Sequence, residues 1–376
     1  MVERKPNMKK KYDIAAYVWP AYTGDEPRTR MFWDEGYGEW QSVRSAEKKF
    51  PDHSWPRQPL WGYVNEADPY VMEMEIEAAV SHGVNVFIYD WYWYDRRPFL
   101  EQCLNNGFLK ARNNKKMKFY LTWANHDANT FWDKRLADRP AVTIWDGKVD
   151  RPEFERIVNR IIERYFTQEN YYKIDGCPVF NLHFMQNLVN GLGGIDAAAD
   201  ALEFFREQTK KAGFPDLHLQ LNLIAASKDY SGLEAICSVN TKEAFKKIRF
   251  DSATHYQFLA FTDMNRDYTE VMPDVLTEWE NEADTLPFPY LPHVSVGWDN
   301  NPRTHNLRPV ICTNNTPENF EKMLRHAKDF IDRRHLHPLI TVNSWNEWTE
   351  TSYLEPDALN GYGYLEAVKR VFVDET

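Results

Sequence analysis

A single (β/α)8 TIM barrel with long loops at its C-terminal face is the fold this sequence predicts, on three observations. About eight apolar runs of strand length recur along the 376 residues, a segment of helix length separates each from the next, and nearly every run ends in polar and aromatic residues. The third observation decides against a doubly wound sheet, which gathers its functional residues at one switch point. Barrels of this kind reach such a length with insertions, so residues 1–376 are expected to form one catalytic domain, with residues 1–11 as a flexible basic leader. No internal repeat beyond the β/α unit and no low-complexity linker marks a second domain.

Taken in order, residues 12–18 read as the first strand, ending at Trp19-Pro20. The next forty-odd residues hold Trp33, Trp40, Trp55 and Trp61 with little periodicity and are expected to be a loop. Asp68-Pro69 opens a helix that stops near Gly83, where a cap-forming Asp and a first-turn Pro are favoured. Residues 84–89 form the second strand, ending in Asp90-Trp91-Tyr92-Trp93. A helix is expected after Pro98, then a strand over 118–122 that ends at Trp123-Ala124-Asn125-His126. Phe154, Ile157, Val158, Ile161, Ile162 and Tyr165 give the cleanest helical periodicity and lead to a strand over 178–183. A helix over 196–213 precedes a strand over 217–224, and a helical segment over 229–247 precedes one over 250–256. The helix carrying Tyr268, Val271, Val275 and Trp279 feeds a strand over 291–297, which ends in Trp298-Asp299-Asn300. Thr316 and Pro317 open the last helix, and residues 339–342 make the eighth strand.

Composition narrows the function classes. A net charge of −11 argues against a partner held by its phosphate backbone, which needs clustered Lys and Arg, so no nucleic acid is expected. The aromatic fraction is 15%, with 14 Trp, which suits either a ring-lined carbohydrate cleft or a ring-rich core. Cys103, Cys177, Cys237 and Cys312 are too scattered for a disulfide framework or a zinc site. No stretch approaches the ~20 apolar residues of a membrane span. The leader lacks an apolar signal core, so the sequence as it stands reads as cytoplasmic; trimming of a signal would make it periplasmic or secreted.

The densest cluster of chemistry is Asn343-Ser344-Trp345-Asn346-Glu347-Trp348-Thr349-Glu350, continuing through Tyr353-Leu354-Glu355-Pro356. It follows the eighth strand, so Glu347 and Glu350 emerge where a barrel keeps its active site. Two carboxyls three residues apart can face one space. Such a pair suits glycosidic cleavage, in which one acid protonates the leaving oxygen and the other acts as base or nucleophile. The bland alternative is a solvated helix start, where acids are common. Asn346 and Trp348 of the motif are candidate substrate contacts. The other strand ends supply Trp19 and Tyr22, then Asp90, Trp91 and Trp93, then Trp123, Asn125 and His126, then His255 and Tyr256, and finally Trp298 and Asp299.

Metal and phosphate signals are weak. His126 beside Asp127 has no third ligand at useful spacing, so no metal and no cofactor are expected. Gly191-Leu192-Gly193-Gly194-Ile195-Asp196 fails G-x-G-x-x-G, and its acid would repel phosphate. The sequence contains no D-x-D, a grip on nucleotide-sugar donors.

These stretches resemble the glycoside hydrolase family 99 endo-α-mannosidases and, more closely, the family-99-like WbsX-like domains of polysaccharide gene clusters. The likeness runs through residues 16–20, through Pro59-Leu60-Trp61-Gly62-Tyr63, which adds Tyr63 as a candidate substrate contact, through residues 86–93, 122–125 and 297–300, and through the N-E-W-x-E…L-E-P motif. It implies that Glu347 and Glu350 are catalytic and that configuration is retained, with the substrate's own 2-hydroxyl as nucleophile. It further implies that Glu347 is base toward that hydroxyl and Glu350 acid, then base, at the glycosidic oxygen. Ordinary double displacement stays open. Thr349-Glu350-Thr351 stands where the mannosidases tend to show His-Glu-Gly. The expected activity is retaining hydrolysis of a 1,2-trans glycoside, of α-mannoside or α-L-rhamnoside type, in an oligosaccharide or polysaccharide. The alternatives are a glycosyltransferase of polysaccharide biosynthesis and a catalytically idle glycan-binding barrel.

Overall fold

The structure, a computed structural model, describes residues 11–223 and 241–374. Its centre is a ring of eight parallel strands: β1 (Asp13–Val18), β2 (Val86–Tyr94), β3 (Lys118–Trp123), β4 (Cys177–Leu182), β5 (His218–Leu223), β6 (Ser252–His255), β7 (His293–Ser295) and β8 (Leu339–Asn343). Neighbours in the ring follow chain order from β1 to β6, and β8 joins β1 to β7. Closure between β6 and β7 runs through the residues just before β7. Ala253 N–H donates to Pro289 O at 2.9 Å, and Leu291 N–H donates to Ala253 O at 2.8 Å. The predicted (β/α)8 barrel is therefore the observed fold.

Sequence chemistry explains the helices that pack outside. In α1 (Pro69–Ser81) Asp68 caps the first turn by accepting from Tyr70 N–H. In α2 (Arg151–Ile161) Asp150 caps through Glu153 N–H. Beyond α3 (Ile195–Lys211), α4 (Thr241–Lys247) and α5 (Tyr268–Thr285), Thr316 caps α6 (Pro317–Arg334) through Asn319 N–H. The starts of α1, α2 and α6 also place a Pro in the first turn, where the missing N–H costs nothing. The apolar faces of these helices and the outward side chains of the strands make the main core. The barrel interior is polar, and many of its side chains bond one another across the strands. Tyr17 Oη donates to Asn222 at 2.8 Å, Thr122 Oγ1 to Asn181 at 2.7 Å, and Asn181 Nδ2 to Gln220 at 2.9 Å.

Three elements differ from the sequence-based expectation. β2 continues to Tyr94 and folds back antiparallel onto Arg97–Phe99, so the helical stretch expected after Pro98 begins only at Cys103, as a wide turn over Cys103–Gly107 followed by a tighter one over Phe108–Lys110. The seventh strand is shorter than predicted, because only His293–Ser295 pair with β8. Of the helical segment expected over 229–247, only the part from Thr241 lies within the described residues, and Ile224 of the fifth strand lies outside them too.

The loop after β1 holds a second aromatic core. Trp19, Phe32, Trp33, Tyr92, Trp132 and Phe99 pack together, with Trp19 and Trp132 centroids 5.4 Å apart. Most tryptophans are thus packing rings: Trp33, Trp40, Trp55, Trp91, Trp123, Trp279, Trp345 and Trp348 are all fully buried. No helix among the described residues is long and apolar enough to cross a membrane.

Candidate active site

The motif after β8 forms a tight hairpin. Asn346 and Glu347 pair antiparallel with Tyr353 and Ser352, and Trp348–Glu350 make one helical turn between them. Serines pin its base. Glu347 N–H donates to Ser344 Oγ at 2.7 Å, and Ser344 Oγ donates to Ser352 O at 2.6 Å. Asn346 spends its amide on the end of β1, donating to Trp19 O and accepting from Trp19 N–H. Thr351 has a φ of 56°, a conformation that favours glycine. Its hydroxyl accepts from Trp55 Nε1 at 2.9 Å and donates to Asp299 O at 2.8 Å, which holds a threonine there.

This hairpin presents Glu347 and Glu350 to one guanidinium. Arg303 Nη1 donates to Glu350 Oε1 at 2.7 Å, while Nη2 lies 3.3 and 3.4 Å from the two Glu347 oxygens. Its Nε donates to Glu39 Oε1 at 2.9 Å, and Glu39 Oε2 accepts from Trp19 Nε1. Burial pushes the Glu347 carboxyl well above the ordinary range, with Glu350 adding to the push and Arg303 opposing it. Glu350 is raised by the same burial, against the closer Arg303 contact. Its side chain is 12% exposed against 4% for Glu347, so Glu350 is the more open of the two.

Asp90 completes the floor. Its Oδ2 accepts from Tyr256 Oη at 3.1 Å, and burial raises its pKa well above the usual carboxylate range. Among the buried polar atoms with no partner are Asp90 Oδ1, Glu350 Oε2 and, at the end of β8, Asn343 Nδ2. Buried acceptors and donors left open in this way are free to bind the hydroxyls of a ligand. The ring of Tyr256 lies 4.7 Å from Tyr17 and 4.9 Å from His183, and His183 in turn lies 6.0 Å from His126.

Of the residues singled out in the sequence, Glu347, Glu350, Asp90, Tyr256 and Tyr22 converge; Tyr22 Oη accepts from Trp348 N–H at 3.2 Å. His126 sits one layer out. Trp19 orients Glu39, and Trp348 stacks on Tyr353 at 3.8 Å. Asp299 is occupied with His53 at 2.7 Å and with Asn301, and Asn125 ties down Phe184. His255 faces Tyr290, with its ring on Phe261. Trp123 is buried with its Nε1 free, Trp298 is half-buried against the main core, and Tyr63 is exposed beside Trp40. Trp91 and Trp93 point outward, donating to Glu101 and to Glu153 of α2. The sequence reading did not select Glu39, Arg303 or Tyr92. Strand alternation places Tyr92 on the Asp90 face, and that signal was available.

Known proteins bear on this geometry. The uncharacterised protein WxcX of Xanthomonas campestris pv. campestris (strain B100) is 24% identical over 362 residues, covering 92% of this chain and 47% of its own length. The chain therefore spans about half the length of this curated relative. Among solved structures, the GH99 endo-α-mannosidase from Bacteroides thetaiotaomicron is similar at a TM-score of 0.62 and 14% identity, with 96% of each chain covered. A protein described as glycoside hydrolase-like is similar at a TM-score of 0.60 and 14% identity, covering 99% of this chain and 97% of its own. At that identity the likeness establishes a shared fold. The family described as Glycosyltransferase WbsX matches residues 14–368, nearly the whole barrel, and the chain belongs to that family.

Proposed function

We propose that this chain is a glycan-active enzyme that hydrolyses a 1,2-trans glycosidic bond with retention, using Glu347 and Glu350. One observation carries the reading. Two carboxyls on one hairpin at the C-terminal mouth of the barrel share the Arg303 guanidinium, beside open oxygens on Glu350 and Asp90. Glycosidic cleavage needs one carboxyl protonated and one ionised, and a buried pair beside a single cation supports that division. The family resemblance supports the substrate's 2-hydroxyl as nucleophile. O2 would attack C1 from the face opposite the leaving group, its proton passing to Glu347, while Glu350 protonates the departing glycosidic oxygen; water would then add at C1 and open the anhydro-sugar, giving its proton to Glu350 as Glu347 returns one to O2. That geometry requires O2 trans to the leaving group, as in α-mannosides and α-L-rhamnosides. The test is a panel of plant and microbial glycans assayed for released sugar, followed by 2-deoxy analogues of whichever substrate is cleaved. The analogues should bind without reacting. Turnover of a 2-deoxy analogue, or a glycosyl ester trapped on Glu347, replaces this route with double displacement.

A second reading, glycosyl transfer, is favoured by the description of the family itself. It predicts sugar incorporation from a nucleotide-sugar donor in place of hydrolysis. The absence of D-x-D counts against it.

A further inference from the structure

We infer that Arg303, aimed by Glu39, is the positioning residue that keeps one carboxyl of the Glu347/Glu350 pair ionised while the other holds its proton. The argument starts with the mount. Arg303 ends the short turn Asn301–Arg303, whose backbone is fixed by Asn301. Asn301 Oδ1 accepts from Arg308 N–H at 2.7 Å, and its Nδ2 donates to Asp299 Oδ1 and Arg308 O. Glu39, itself held by Trp19, takes the Nε edge of the guanidinium and leaves the Nη edge to the acid pair.

The contacts are unequal: 2.7 Å to Glu350 against 3.3 and 3.4 Å to Glu347. Arg303 therefore grips Glu350 more closely than Glu347, and its single charge balances only one ionised member of the pair. The other titratable groups facing this space are Asp90 of β2 with Tyr92 beside it, Tyr22 of the β1 loop, Tyr256 after β6 and His126, whose imidazole burial holds below its ordinary range, with Arg303 adding to the effect. None of these is cationic, so Arg303 is the only guanidinium or ammonium that contacts either acid among the described residues.

This inference borrows its catalytic meaning from the hydrolase reading, but the charge relation can be measured without turnover. The experiment is a pH titration of 13C-carboxyl-labelled glutamates by NMR in the wild type, Arg303→Gln and Arg303→Lys. Glu347→Gln and Glu350→Gln spectra assign the two resonances. Loss of an opposite charge at this range should raise both titrations in Arg303→Gln by about 1–3 pH units. Arg303→Lys should restore part of the shift, and Glu39→Gln should move both by less. Titrations unmoved in a folded Arg303→Gln overturn the proposal, whatever the substrate panel gives. If the titrations move but the wild type releases sugar from none of the glycans in the panel, Arg303 keeps its charge relation and the hydrolase reading fails. On a cleaved substrate, the pH–rate bell of Arg303→Gln should move to higher pH; a merely structural role would lower it in place.

Discussion

Either side of the hairpin after β8 lies a group of three buried carboxyls, and the two groups differ in what balances their charge. On the mouth side Glu39, Glu347 and Glu350 gather around Arg303. On the helix side Glu66, Glu75 and Glu355 each place an oxygen within 4.8 Å of the others, and no basic side chain pairs with them among the described residues. Their hydrogen-bond donors are neutral: Trp345 Nε1 to Glu75, Trp348 Nε1 to Glu355, and Asn346 Nδ2 and Cys103 Sγ to Glu66. Burial raises all three carboxyls, Glu66 and Glu75 well above the ordinary range and Glu355 to about 8. Three carboxylates so close in a low-dielectric space cannot all ionise without a counter-charge. The first group is therefore built to keep a charge and the second to suppress one, while the second group's acids hold the two tryptophans that flank Glu347.

The largest expected effect separates the groups by chemistry. Glu350→Gln should lose about 10²–10⁴-fold in kcat on natural glycosides, the usual weight of a general acid. It should retain more on aryl glycosides, whose leaving group needs no proton. Equal losses on both substrates, with Glu347→Gln spared on the aryl one, would hand the acid role to Glu347, as the 2.7 Å contact of Arg303 with Glu350 allows. By contrast, Glu75→Gln should leave kcat within a few-fold.

The next contrast is in stability. An acid whose folded pKa lies above its unfolded value binds more protons when folded, so its contribution weakens as pH rises between the two. For Glu355 that window runs from about 4.5 to about 8, and for Glu75 it opens at the same lower edge. Glu75→Gln removes one ionisable member while its amide oxygen can still accept from Trp345. It should therefore be at least as stable as the wild type near pH 8, and its stability relative to the wild type should rise from pH 5 to pH 8. Urea midpoints at pH 5 and pH 8 check this, and equal destabilisation at both would break the contrast.

How much of this was legible in the sequence follows from where periodicity exists. Strand and helix alternation exposed the barrel because each element buries one repeating face, and the N-E-W-x-E motif stood out by its density of acids and rings. Past Pro98 the spacing suited a helix, but Arg97–Phe99 pairs with the extended end of β2, a contact no local pattern announces. In Asp90-Trp91-Tyr92-Trp93 the large rings suit a sugar platform, but alternation puts Tyr92 with Asp90 and sends Trp91 to Glu101 and Trp93 to Glu153 of α2. Glu39 and Arg303 lie in irregular loops and meet across 264 positions, so neither carries a signal until the barrel brings them together. The same holds for Glu66 and Glu75, whose partner Glu355 comes from the far end of the chain.

The smallest expected effect is none, and it decides what balances the second group. A hard cation would want several free oxygens from Glu66, Glu75 and Glu355. Only Glu75 Oε1 and Glu355 Oε1 lack a partner, since both Glu66 oxygens already accept, from Asn346 and Cys103. Shared protons need no further ligand, and they agree with the raised carboxyls. Dialysis against a strong chelator, and then addition of excess Ca2+ or Mn2+, should therefore leave both the thermal midpoint and glycoside cleavage unchanged, because the acid pair at the mouth is sufficient for the chemistry. A midpoint that falls on chelation and recovers with the ion, in the wild type but not in Glu75→Gln, would show that the helix-side carboxyls hold a metal. The two groups would then differ only in which cation each uses, the guanidinium of Arg303 at the mouth and an ion behind the hairpin.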